Sequence, residues 1–107
     1  MTNFISTGST YWISDEEIQI LEKNATNGDK NSAFKLYQYH MFVSLDQDSE
    51  FKWLEIAAKN GHPIAQSNLA DLFFIQGNKE KAIFWAKKAY RNGAKLPDEL
   101  KILININ

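Results

Sequence analysis

The dipeptide Asn-Gly recurs along this chain at a nearly constant spacing. It stands at Asn27-Gly28, Asn60-Gly61 and Asn92-Gly93, so successive glycines are 33 and 32 residues apart, and Trp53 and Trp85 are also 32 residues apart. A period of this length is the size of one helix–turn–helix unit. Glycine tolerates the left-handed backbone that follows a helix C-terminus. The spacing therefore predicts tandem helical hairpins.

Capping signals between these markers predict where each helix begins. Ser14 with Glu17 matches a capping box, Pro63 suits a first helical turn, and Asn78 is a preferred N-cap residue. Asp46, Asp48 and Ser49 offer N-caps for a third helix, and no segment shows a convincing strand pattern. With the apolar stripes between them, these signals predict helices near residues 15–26, 30–43, 63–75, 79–91 and 97–103, and a third helix that follows one of the three N-cap candidates and ends at Asn60-Gly61. The extra residue of the 33-residue spacing is expected in the loop between 40 and 51.

Composition limits the class of protein and its partners. The chain has 107 residues, of which 44% are hydrophobic and 23% charged, as in an ordinary single globular domain. It has no cysteine, which excludes disulfides and thiolate chemistry and favours a reducing compartment. The net charge of -1 gives no general attraction to nucleic acid or anionic lipid. No signal peptide is recognised in residues 1–9, and no apolar run approaches a membrane span. We therefore expect a cytoplasmic protein that binds neither nucleic acid nor membrane.

The second unit resembles a Sel-one-like repeat, a helical repeat related to the tetratricopeptide repeat. The matching positions, taken with the glycine at each end, are Ala65, Leu69-Ala70, Phe73, Lys81-Ala82, Trp85 and Lys88-Ala89. The first unit matches in its second helix, residues 53–61. In its first helix two registers are open, one that uses Leu36 and His40 and one that uses Ala33, Tyr37 and Met41. Both units lack the Gly-x-Gly-Val loop that is typical of the family.

The resemblance implies an all-α fold, a right-handed α-α superhelix of two hairpins with a capping helix at each end. It implies one domain over residues 1–107, with a cap helix at about 15–26, repeat one at about 28–60, repeat two at about 61–92 and a C-terminal cap at about 97–103. Alanines such as Ala57 and Ala89 are expected at close helix contacts. Trp53 and Trp85 are expected in the core.

Residues with catalytic or metal-binding chemistry do not form a recognisable motif. His40 and His62 have no second histidine or carboxylate at metal-ligand spacing on the same helix. We expect His62 to begin a helix and His40 to take a packing position. The acidic segment 46–50 lacks the central glycine of a calcium loop, so a capped turn is favoured over an ion site. The sequence predicts no catalytic residue, no metal, no cofactor and no enzyme.

Two surfaces are candidate binding sites. In tetratricopeptide-like folds the first helix of each unit lines a concave groove, so the resemblance assigns partner binding to Phe34, Gln38, Met41, Phe42, Ile64, Ser67, Asp71, Phe74 and Ile75. Alternatively, the N-terminal arm, Phe4 to Trp12, folds over the groove and makes it core. A basic face is expected from Lys81, Lys87, Lys88 and Arg91, either as a solvated face or as a surface for an acidic partner.

These features predict a non-catalytic protein–protein interaction module. Through the resemblance alone, we expect a small stand-alone bacterial protein that acts as an immunity or inhibitor protein against a toxin or effector. The alternative is a self-associating structural or regulatory adaptor subunit. In either case the expected state in isolation is a monomer or a weak homodimer.

Overall fold

The computed structural model describes residues 10–106, and within this range it contains helices and turns but no strand. The all-α prediction is therefore confirmed. A π-helical turn, His40–Ser44, directly follows the second helix. Between residues 15 and 103 the α-helices are α1 Asp15–Thr26, α2 Lys30–Tyr39, α3 Gln47–Lys59, α4 Pro63–Ile75, α5 Lys79–Arg91 and α6 Asp98–Leu103. None of the helices in residues 10–106 has both the length and the apolar content that crossing a membrane requires.

The predicted N-cap of α1 is present. The Ser14 hydroxyl accepts a hydrogen bond from the Glu17 backbone N–H at 3.2 Å. The Glu17 carboxylate forms an ion pair with Lys35 Nζ of α2, also at 3.2 Å. Both side chains are about half exposed, so the pair contributes little to stability. The cap, rather than the ion pair, fixes where α1 begins.

The second hairpin also begins its helices at the predicted caps. His62 Nδ1 accepts a hydrogen bond from the Ala65 backbone N–H at 3.2 Å, which confirms its place at a helix start. Asn78 Oδ1 accepts one from the Lys81 backbone N–H at 3.2 Å. Each side chain satisfies a backbone donor that has no partner inside its helix.

The prediction of one continuous helix from Lys30 to Val43 was wrong. The α-helix ends at Tyr39, and His40–Ser44 forms a π-helical turn that stops at Leu45, whose φ of 58° is left-handed. A π turn bonds residue i to i+5 and is wider than an α turn, so it accommodates one additional residue. This turn lies in the interval where the extra residue of the first repeat was expected, but at a helix end rather than in a loop.

The fold divides into two compact units between Ala57 and Ala58. In the first unit, α1 packs against α2. The single domain over residues 1–107 stays a prediction. Both open registers of α2 contribute to the core, because Leu36 from one and Ala33 and Tyr37 from the other are buried. The buried hydrophobic residues of this unit are Ile13, Leu21, Ala25, Ala33, Leu36, Tyr37, Trp53, Leu54 and Ala57.

In the second unit, α4 packs along α5, and α6 packs against α5. The side chains facing into the hairpin are mostly small, which lets helix axes approach to about 8–10 Å. Trp85 supplies the largest buried ring and is 9% exposed, as predicted. The buried hydrophobic residues are Ala58, Ala65, Leu69, Ala70, Phe73, Ala82, Trp85, Ala86, Ala89, Leu96 and Leu100.

A buried glutamine connects three helix segments within this unit. Gln66 of α4 is fully buried, and its Nε2 donates to the Ala58 carbonyl oxygen at the end of α3 at 3.0 Å. Its Oε1 accepts from Asn92 Nδ2, at the C-cap of α5, at 2.9 Å. The contact between the amides joins residues 26 positions apart in sequence. Because a buried polar group without a partner is costly, these bonds fix the register of the hairpin.

We predict that Trp85→Ala lowers the free energy of unfolding by about 3–5 kcal/mol, because it removes a large buried ring and leaves a cavity. Tyr90→Ala, on the same helix but about half exposed, is the matched control and should cost less than about 1 kcal/mol. Urea denaturation followed by far-UV circular dichroism measures both values. Equal losses in the two variants would contradict the assignment of Trp85 to the core.

We also predict that Gln66→Met costs about 2–4 kcal/mol, although the two side chains have similar size. The substitution leaves the Ala58 carbonyl and the Asn92 amide without their partner. Gln19→Met on the exposed surface of α1 is the control and should change stability by less than about 0.5 kcal/mol. A Gln66→Met protein as stable as this control would show that the amide contacts contribute nothing.

Candidate protein-binding site

Helix α4 has two chemically different faces within the second unit. Ala65, Leu69 and Phe73 are buried, at the spacing expected of a helix face that packs against a neighbour. The other face exposes Phe74 and Ile75, and Ile75 is 74% exposed. The sequence-predicted residues of α4 lie at helical spacing beside that packed face, and Ser67 is the buried one among them. We call this set the α4 stripe: Ile64, Ser67, Asp71, Phe74 and Ile75.

A cavity of about 540 Å³ lies beside the N-terminal half of the stripe. Its volume is in the range of small-molecule and side-chain pockets. One wall is α4 with its N-cap, and the other is the loop that follows α5. The lining residues are His62, Pro63, Ile64, Ser67, Asn68 and Asp71 on the first wall and Gly93, Ala94, Lys95 and Pro97 on the second. Three of the five predicted stripe residues therefore line one cavity, and the loop wall was not predicted.

The cavity combines apolar walls with a few polar groups. Ser67 is buried, and Asp71 is half-buried. Neither Asp71 nor Lys95 forms an ion pair or a side-chain hydrogen bond among the residues that the structure describes. One carboxylate, one ammonium group and one hydroxyl are thus available beside an apolar surface. Such a site can hold an apolar side chain and orient it by polar contacts at its edge.

The predicted site residues of the first unit are more covered. Phe34, Gln38, Met41 and Phe42 are all half-buried. The ring of Phe34 lies 5.3 Å from that of Tyr37. The ring of Phe42 stacks on Tyr11, with centroids 4.6 Å apart and planes 23° apart. Tyr11 belongs to the arm that the alternative interpretation placed over the groove, so at Phe42 the arm does make contact. The rest of that arm, Phe4 to Ser9, lies outside the described residues.

His40 occupies the π-helical turn. Its Nδ1 lies 2.7 Å from the Ser44 hydroxyl, and its ring is edge-on to Tyr39 at 5.0 Å. Serine and histidine at this distance occur in nucleophilic sites, where a third group orients the histidine. Within residues 10–106 no carboxylate hydrogen-bonds to this ring. The contact spans i to i+4 and links the two ends of the π turn, which is a structural role. Burial lowers the pKa of His40, and the charges of Asp46, Glu22 and Glu50 only partly oppose that effect.

The acidic segment 46–50 forms the capped turn that its sequence favours. Asp46 Oδ2 accepts from the Ser49 hydroxyl at 2.9 Å, and Oδ1 accepts from the Ser49 backbone N–H at 3.4 Å. These hydrogen bonds, the hydroxyl first, lower the pKa of Asp46. Among the described residues, no three His, Cys, Asp or Glu side chains are grouped so that they can hold a metal ion.

The predicted basic residues lie on α5. Lys81, Lys87 and Arg91 are exposed and Lys88 is half-buried. The Lys81 ammonium lies 5.3 Å from the centroid of the Phe73 ring. Sequence reasoning missed Phe84, which stands among these cations, because the repeat pattern assigns no role to that position.

Comparison with known proteins finds a relative by sequence. The chain is similar to "Uncharacterized protein YibG" of Escherichia coli (strain K12), with 31% identity over an alignment of 96 residues that covers 82% of this chain and 62% of the relative. The chain thus spans less than two thirds of that relative's length. No family model matches the chain. No solved structure matches it.

We predict that His40 makes the protein less stable as the pH falls from about 7.5 to 5.5. Its pKa is lower in the folded state than in the unfolded state, so the unfolded chain binds the proton more readily in this range. The contribution of His40 to stability is complete above its pKa in the unfolded state and is lost as the pH falls through its pKa in the folded state. Urea denaturation at several pH values measures the slope, which should be smaller in His40→Gln. An equal slope in this variant would contradict the prediction.

Proposed function

We propose that this protein is a non-catalytic protein–protein interaction module that binds its partner through the α4 stripe. The observation that carries the proposal is the position of Phe74 and Ile75, which are exposed on a helix whose opposite face is fully used by the core. Exposure of large apolar side chains to water costs free energy, and a contiguous exposed group of them is typical of an interaction surface.

The cavity beside the stripe supports a protein partner. Binding energy at protein interfaces is concentrated in a few anchor side chains that enter pockets, surrounded by polar contacts. The cavity volume of about 540 Å³ accepts an aromatic or long aliphatic side chain. Asp71 and Lys95 at its walls supply one negative and one positive group for contacts with a partner. The stripe and the cavity together thus offer an apolar anchor site with a polar edge.

The resemblance to Sel-one-like repeats adds a right-handed α-α superhelix and a bacterial origin to this proposal. The lack of cysteine adds a cytoplasmic location, and the net charge of -1 with no long apolar run adds the absence of nucleic acid and membrane partners. We propose that the partner is a toxin or effector and that the chain acts as an immunity or inhibitor protein. Blocking an active site requires a rigid surface of matching shape and no chemistry, which a small helical repeat can supply.

Self-association as an adaptor subunit is the second candidate. Residues 1–55 carry a net charge of -5 and residues 56–107 carry +4, so opposite halves of two chains attract each other. Contact between unlike surfaces of two copies produces rings or filaments rather than a closed two-fold dimer. In this case the α4 stripe would be covered by a second copy.

A photo-crosslinking experiment separates these functions. A benzoylphenylalanine residue replaces Ile75, and in a matched control it replaces Ile102, which is 72% exposed on α6. We expect one other protein to be crosslinked from position 75 in the native host and not from position 102. Crosslinks to a second copy of the chain would favour the adaptor function. Equal crosslinking from both positions would contradict the proposed site.

With the captured partner in hand, we predict that Phe74→Glu weakens binding by at least about tenfold, because a carboxylate replaces an apolar contact. Isothermal titration calorimetry measures the affinity, and far-UV circular dichroism should remain helical because Phe74 is 38% exposed. Ile102→Glu is the matched control and should bind like the unmodified protein. Loss of helical structure in Phe74→Glu would show instead that this ring belongs to the core.

A further inference from the structure

Positive charge is concentrated on α5 and the loop after it. Residues 79–95 contain six cations and one carboxylate, a balance of +5, although the whole chain carries -1. None of these six cations forms an ion pair with a carboxylate among residues 10–106. The helix dipole favours cations in the last turns, which accounts for Lys88 and Arg91. It does not account for Lys81, which lies near the helix N-terminus.

Part of this charge is arranged along one line of the helix. Lys81, Phe84, Lys88 and Arg91 follow at i, i+3, i+7 and i+10, so they share one face of α5 and span about 15 Å. We call these four residues the α5 stripe. The opposite face of α5 is held in the core of the second unit by Ala82, Trp85, Ala86 and Ala89. The stripe is therefore displayed on a helix that is already fixed in place.

An aromatic ring lies at the centre of the cations. Phe84 is 52% exposed and edge-on to Trp85, with centroids 5.1 Å apart. The Lys88 ammonium lies 5.1 Å from the Phe84 centroid and 5.8 Å from the Trp85 centroid. Contact between a cation and an aromatic face orders the long side chain of Lys88. A partner that binds here therefore meets an apolar centre flanked by a positioned cation.

We propose that the α5 stripe binds an acidic segment of a partner protein, with carboxylates facing Lys81, Lys88 and Arg91 and an apolar side chain against Phe84. An amphipathic helix laid along a helix face presents groups at the same i, i+3, i+7 spacing as the stripe. Complementary charge gives such a contact its orientation and its rate of association. This site is on a different helix from the α4 stripe and does not depend on the function proposed for it.

The geometry favours an acidic peptide over nucleic acid. Proteins that bind single strands stack bases on open aromatic faces, but Lys88 lies over the ring of Phe84 and Trp85 lies against it. The geometry also disfavours insertion into a lipid surface. An interfacial helix buries a broad apolar face in the membrane, whereas the apolar face of α5 is already buried in the hairpin.

The test uses the whole chain and fluorescently labelled synthetic probes. The acidic probe is a peptide of 13 residues, the length of α5, composed of Glu, Ala and Leu with Leu along one face. The other probes are the same peptide with Lys in place of Glu, a single-stranded oligonucleotide, and vesicles of phosphatidylcholine with phosphatidylserine. Of the four probes, we expect only the acidic peptide to bind in an anisotropy titration at low ionic strength. Its affinity should fall as salt is added.

The variant Lys88→Gln/Arg91→Gln should weaken this binding by about tenfold. The matched control, Lys30→Gln/Lys79→Gln, removes two exposed cations that lie outside the stripe and should weaken binding by less than about twofold. Phe84→Ser should weaken binding of the acidic peptide at high salt, where the apolar contact dominates. Because Phe84 is half exposed, circular dichroism should show an unchanged helical fold in this variant.

Several results would overturn the proposal. Absence of acidic-peptide binding at low salt, or equal loss in the stripe and control variants, would remove the stripe as a site. Preferential binding of the oligonucleotide or of the vesicles would assign the charge to another class of ligand. Self-association in sedimentation analysis that Lys88→Gln/Arg91→Gln abolishes would assign the stripe to a second copy of the chain.

Discussion

Alanine at the contact between α4 and α5 is the constraint on which the second unit depends. Ala65 and Ala70 of one helix and Ala82, Ala86 and Ala89 of the other are fully buried, so the two backbones approach closely. A larger side chain at any of these positions would force the helices apart. Such close contact leaves little room inside the hairpin. Trp85, Phe73, Leu69 and Gln66 fill much of that room, whereas Ile64, Phe74, Ile75, Phe84 and Tyr90 are exposed.

The side chains outside this contact form two different surfaces on neighbouring helices of the second unit. The α4 stripe is apolar with a cavity beside it, whereas the α5 stripe carries cations around one ring. The first unit does not repeat this arrangement, because Tyr11 stacks on Phe42 and the predicted binding residues there are half-buried. Each unit buries one tryptophan and several alanines, but the exposure of the predicted binding residues differs between the two units. Function is therefore better sought in the second unit.

Helix positions could be predicted from sequence because they depend on local chemistry. Ser14, His62 and Asn78 each cap the helix that follows, and the Asn-Gly pairs end the helices before them. Features that depend on contacts distant in sequence could not be predicted. The bond between Gln66 and Asn92, and the wall of the cavity formed by residues 93–97, arise only when the hairpin closes. Exposure of Phe84 could not be predicted either, since the sequence pattern does not distinguish a core ring from a surface ring.

The π-helical turn has a consequence for how a chain of this kind changes length. A π turn holds one residue more than an α turn, so deletion of one residue here converts the turn to regular helix. Trp53 lies beyond the turn, and its distance from the end of α3 does not change. Insertions and deletions at residues 40–44 therefore alter the end of one helix without shifting the core positions of the next. The unequal spacing of the two repeats arises between Gly28 and Trp53, the interval that contains this turn, while Trp53 and Trp85 each precede the next Asn-Gly glycine by 8 residues.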